Sequence, residues 1–135
     1  MKLPPYRAEL GYTYAFGRFA VAEAVTHRPA DVRLVLWHSA MPGEDLARLR
    51  EQVMSAGLTF ERDDATVARL RRKATVHCLA QVSKRAEELD PSSDHVVLVN
   101  ASHPGNVGTA IRSLVAFGFR DLALVTEPRS APVAE

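Results

Sequence analysis

Asn100, His103, Asn106 and Arg112 fall within one short stretch, Asn-Ala-Ser-His-Pro-Gly-Asn-Val-Gly-Thr-Ala-Ile-Arg. Two amides, an imidazole and a guanidinium at this spacing suit an anionic or hydroxyl-rich substrate, because they can hydrogen-bond phosphate and sugar oxygens. Gly105 and Gly108 permit close approach of another backbone or a ligand. If the stretch joins a strand to a helix, it lies in the crevice where open α/β sheets bind ligands. Gly108 and Arg112 are four apart on that helix, and helical side chains lean toward the N-terminus. Arg112 therefore leans back over Gly108 toward Asn106, which is placed to cap the helix. The plainer reading is a tight strand-to-helix turn with a surface arginine. The Gly-x-x-Gly spacing is not a dinucleotide loop, which needs Gly-x-Gly-x-x-Gly and a later acidic residue.

The flanking elements support that placement. His95–Asn100 (HVVLVN) is a nearly continuous apolar run, expected of a strand covered on both faces. Asn106–Phe117 is a helix stopped by Gly118, and Leu122–Val125 is a second buried strand. Together they make one β-α-β unit, 95–135, with a right-handed crossover onto a parallel sheet. Two strands and one helix cannot cover their own apolar faces, so this unit needs more sheet.

Upstream, the pattern is α-β-α-β-α-β over residues 1–85. A helix over Gly17–Val25 precedes a strand at Val32–Trp37. A helix over Glu44–Ala56 ends at Gly57, and a short strand at Leu58–Phe60 follows. Asp63 or Asp64 caps a helix to about Arg72, and Val76–Val82 is a strand. This is an α/β sheet covered by helices. Polar residues 86–94 (AEELDPSSD) form a linker.

Composition sets limits. Net charge is +1, so charge alone does not announce a nucleic-acid binder. Arg69, Arg71, Arg72 and Lys73 nevertheless cluster, with Lys84 and Arg85 one strand later; the plainer reading is a solvated helix end. The single cysteine, Cys78, fits a reducing compartment, and no secretory signal or membrane-length apolar run is present. Those features point to the cytoplasm. The five histidines form no metal set, and Cys78 reads as a small buried apolar residue. Trp37 reads as core. Tyr12, Tyr14, Phe16 and Phe19 could stack bases, but some of them are expected to staple the N-terminal arm to the first helix.

The stretch Val97–Val125, with Pro-x-Asn-x-Gly-x-x-x-Arg followed by Phe-Gly, resembles the first motif of SpoU-type (TrmH-like) RNA ribose methyltransferases of the SPOUT superfamily. Residues before the linker resemble that family's N-terminal substrate-binding domain, and the likeness spans roughly Tyr14 to Arg129. The resemblance implies a ribosomal-protein-like α/β/α RNA-binding domain (1–85), a linker (86–94) and the opening β-α-β of a knotted methyltransferase domain (95–135). It implies methyl transfer from S-adenosylmethionine to a ribose 2′-hydroxyl of tRNA or rRNA. Asn106 and Arg112 take the catalytic positions. Asn100, His103 and Gly108 are the candidate substrate contacts, although a loop histidine before proline is more often structural, and Arg69, Arg71, Arg72 and Lys73 move toward RNA contact. Guanidinium stays protonated, so Arg112 stabilises developing charge rather than acting as a base. The family's two later motifs, which hold the methyl donor, are absent. The isolated chain is thus expected to be inactive, and the family's homodimer to belong to a complete enzyme. The alternative is a non-catalytic RNA-binding module.

Overall fold

A computed structural model describes residues 3–127. The chain divides into two compact units, Met1–Arg85 and Ala86–Glu135.

The first unit is a four-stranded mixed sheet in the order β1-β4-β2-β3. Its elements run β1 (Tyr12–Phe16), α1 (Arg18–His27), β2 (Val32–Trp37), α2 (Gly43–Ser55), β3 (Phe60–Arg62), α3 (Asp64–Leu70) and β4 (Cys78–Ser83). β4 pairs antiparallel with both β1 and β2, and β2 pairs parallel with β3. The two-residue period of β4 divides the core. Cys78, Ala80 and Val82 pack with Val21, Val25, Leu49 and Val53 of α1 and α2. Leu79 packs with Leu3, Tyr14, Leu36 and Val67. Two cores on opposite faces make an α/β/α sandwich, the fold class expected.

β2 departs from strict alternation. Val32 and Val35, three residues apart, lie in the same core. A register shift between Val32 and Leu34 explains this, since an extra residue flips the side-chain phase. The displaced Arg33 donates from Nε to Ser83 Oγ at 2.9 Å and sits 5.2 Å over the Tyr12 ring.

Several elements differ from expectation, among them β4, which starts at Cys78 rather than Val76. β1 is a strand that the helix-first reading of this segment missed. Tyr14 does hold the N-terminal arm, donating from its hydroxyl to the Pro4 carbonyl at 2.7 Å, but it does so from the sheet and not against α1. Burial, with Tyr12 beside it, pushes the Tyr14 phenol up to about 12, so it remains a donor. β3 starts two residues late because Leu58 N–H is used by the Val53 carbonyl at the end of α2. α3 stops at Leu70, since Arg71 is already extended. Asp63 caps it, accepting from Thr66 N–H at 2.9 Å.

In the second unit, β5 (His95–Val99) and β6 (Asp121–Val125) pair parallel, joined through α4 (Pro104–Ala116). Gly118, at φ +82°, ends α4 with Phe119 N–H bonded to the Leu114 carbonyl. The strands expected to be buried are not. Val97 and Val99 are 52% and 55% exposed, alternating with half-buried Val96 and Leu98. No residue of α4 is buried, and Ile111 is exposed. One helix on two strands leaves the opposite sheet face without cover. The end of the polar tail, residues 128–135, lies outside the described residues.

Candidate functional site

The Asn100–Arg112 stretch occupies the place anticipated, from the carboxyl end of β5 through the first turns of α4. Its internal wiring differs. Asn106 does not cap α4. The cap position is His103, whose side chain makes no capping bond but whose carbonyl accepts from Asn106 N–H at 3.0 Å and Val107 N–H at 3.2 Å. The helix starts two residues earlier because Pro104 presets the helical φ and lacks only an N–H that would be unpaired anyway. Asn106 is an exposed residue of the first turn, with its side-chain amide free of partners among the described residues.

Asn100 adopts a left-handed φ of 55°, which asparagine tolerates better than most residues. Its amide is engaged: Nδ2 donates to Glu127 Oε2 at 3.0 Å, and Oδ1 accepts from Glu127 N–H at 2.9 Å. Asn100 N–H also bonds the Val125 carbonyl at 2.8 Å. The expected convergence of Asn100, Asn106 and Arg112 on one substrate group is therefore not formed. Glu127 was missed, because a pairing 27 positions apart leaves no local signal.

The two glycines part company. A Cβ at Gly105 would meet His103 Cε1 at 2.9 Å, so the imidazole folds against that backbone. A Cβ at Gly108 would meet nothing within 4 Å. Gly108 thus has no packing reason within this unit, and the space above it is open. Arg112 is exposed and has no hydrogen-bond or ion-pair partner among the described residues. Thr109 and Ser113 turn their hydroxyls back to the carbonyls of Gly105 and Thr109.

The start of α4 offers the positive end of a helix dipole and an exposed amide, and an uncommitted guanidinium lies about two turns further along the same helix; each of these suits phosphate or a developing oxyanion. Among the described residues it does not form a donor pocket. A cleft of about 300 Å³ in this unit lies between Ser93–Asp94 and Phe117–Arg120, at the start of the strands. The residues present do not fit S-adenosylmethionine.

The basic cluster also divides. Arg69 donates to the Leu3 carbonyl at 2.6 Å, and Arg71 to the carbonyls of Ala74 and Val76 at 2.8 and 3.1 Å. These two tie the N-terminal arm and the α3–β4 loop. Arg72 and Lys73 are exposed and have no such partners among the described residues. Trp37 stacks on Phe60 at 5.9 Å and packs on the core, as expected. Cys78 is buried. Among the described residues no cluster could hold a metal ion, and no helix is long and apolar enough to cross a membrane.

No family model and no curated protein matches the chain. Among solved structures, the crystal structure of an RNA 2′-O ribose methyltransferase is similar at TM-score 0.52 and 18% identity, over 90% of this chain and 47% of that one. The likeness is one of fold, and the chain spans about half the length of that structure.

Proposed function

We propose that this chain is the RNA-engaging and substrate-placing portion of a SpoU-type ribose methyltransferase, acting with S-adenosylmethionine on a 2′-hydroxyl of tRNA or rRNA. The observation that carries the proposal is that Asn106 and Arg112, on the helix that follows the carboxyl end of β5, are both exposed with no partner among the described residues. The fold likeness to an RNA 2′-O ribose methyltransferase supports it. In this reading residues 1–85 engage RNA, 86–94 link, and 95–135 open the catalytic domain of a homodimeric cytoplasmic enzyme.

Arg112 stabilises the developing alkoxide or the adjacent phosphate, since its guanidinium cannot accept a proton. Asn106 hydrogen-bonds the ribose, and His103 and the open space over Gly108 receive the substrate backbone. Asn100 is a positioning residue acting through Glu127. Arg72 and Lys73 contact RNA phosphate, whereas Arg69 and Arg71 hold the surface that presents them.

The test uses the protein of the complete reading frame, labelled S-adenosylmethionine, and bulk tRNA and rRNA. Label at the ribose 2′-O is expected, with a loss on the order of 10²–10³ in turnover for Arg112→Lys. Unchanged turnover in that variant sinks the role of Arg112. A second reading, a non-catalytic RNA-binding module, is favoured by the location of both buried cores in the first unit. RNA binding without methyl transfer would select it.

A further inference from the structure

The face of the first sheet that carries α3 is incompletely roofed. α3 has only seven residues, and its Val67 packs with Leu36 and Leu79. Beside it, alternate residues of the edge strand β1 place Tyr12, Tyr14 and Phe16 in a row, with ring centroids 5.7 and 6.0 Å apart. Tyr14 is buried, whereas Phe16 is only half-buried. Between this row, the N-terminal arm and the end of α3 lies a cleft of about 420 Å³, lined by Tyr6, Thr13, Phe16, Arg69, Leu70 and Arg72 among others.

The cleft has an aromatic floor, a cationic rim and no acidic residue in its lining. Tyr6 is 53% exposed, and Lys84 Nζ sits 4.9 Å from its ring centroid while donating to the Ala8 carbonyl. That contact braces a ring that lines the cleft. Arg69 is committed to Leu3, but Arg72 has no partner among the described residues. A flat π surface beside an unpaired guanidinium suits a ligand with a planar ring and a phosphate. The volume lies in the lower part of the range of small-ligand sites, which excludes a duplex.

We infer that this cleft takes a single unstacked nucleotide of a single-stranded RNA segment, its base against Tyr6 and Phe16 and its phosphate on Arg72. The inference rests on the RNA reading above and assigns the first unit a preference for loops over paired RNA. Stacking tolerates any base, so the preference is for strandedness and not for sequence.

The experiment measures binding of the 135-residue chain to a hairpin with a single-stranded loop, to a blunt duplex of equal length, and to adenosine 5′-monophosphate. Tyr6→Ala is expected to weaken hairpin binding roughly 5- to 100-fold, as for loss of one stacked base, and to leave duplex binding within about twofold. Tyr6→Phe retains the hairpin affinity. Arg72→Ala, at an exposed position that folding does not need, lowers the salt slope by about one. Hairpin binding unchanged in both Tyr6→Ala and Arg72→Ala overturns the cleft and leaves the RNA reading standing. No affinity of the wild type for either RNA at about 50 mM salt overturns both. Binding of the free nucleotide, lost in Tyr6→Ala, with no discrimination between hairpin and duplex, overturns the RNA assignment in favour of a free-nucleotide site.

Discussion

Asn100 and Glu127 are joined by two reciprocal hydrogen bonds, of 3.0 and 2.9 Å, that tie the end of β5 to the segment leaving β6. The Asn100 backbone sits in the left-handed region to make them. Asn100→Ala loses both bonds and retains the backbone strain, for an expected local cost of about 1–3 kcal/mol. Asn100→Gly loses the bonds but relieves the strain and is expected to lie between wild type and alanine. Hydrogen exchange at the Asn100 and Glu127 amides reads the order, and equal protection in all three proteins contradicts it.

Gly108 separates folding from function. Its Cβ direction is open, so Gly108→Ala is expected to stabilise α4 by roughly 0.5–1 kcal/mol. If substrate backbone approaches there, the same variant lowers methyl transfer by the complete enzyme. Denaturation midpoints and turnover are compared on one preparation. A stabilised variant with full turnover removes Gly108 from the substrate surface.

Asp31 sets an acid limit on the first unit. Burial pushes its carboxyl up, but bonds from Arg28 and Arg85 at 2.9 Å outweigh that and hold it below the ordinary value. A carboxylate with a depressed native pKa contributes stability that is complete above the unfolded value near ~3.9 and is lost as pH falls through the native one. Urea midpoints from about pH 6 downward are expected to drop below about pH 4. Asp31→Asn lowers stability at neutral pH and flattens that acid slope; an unaltered slope excludes Asp31 as a cause.

Cys78 is closed to solvent, and burial pushes its thiol up to about 11. Thiolate is the reactive form. The native protein is expected to leave an aromatic disulfide reagent unreacted at about pH 8, and one thiol to titrate on unfolding in urea. Rapid native reaction would show that the first core opens readily.

Much of this was legible locally. HVVLVN and LALV announce strands because apolar runs of that length between turn residues have few other uses, and Leu49 and Val53 point α2 inward by helical spacing. A cap at Asp63 or Asp64 and Gly118 as a stop follow from short-range hydrogen bonding and from a backbone conformation that glycine reaches without strain. The strand-to-helix position of the Asn100–Arg112 stretch came from the same rules. Tertiary structure decided which polar groups remained uncommitted. Arg69 is spent on a carbonyl 66 positions away, and Asn100 on Glu127 across a helix and a strand. Arg72 and Arg112 have no such partner among the described residues. Residue type sets what a side chain can bind, but its partners are chosen by strand pairing and by the bulge that turns Val32 inward, which bring distant segments together.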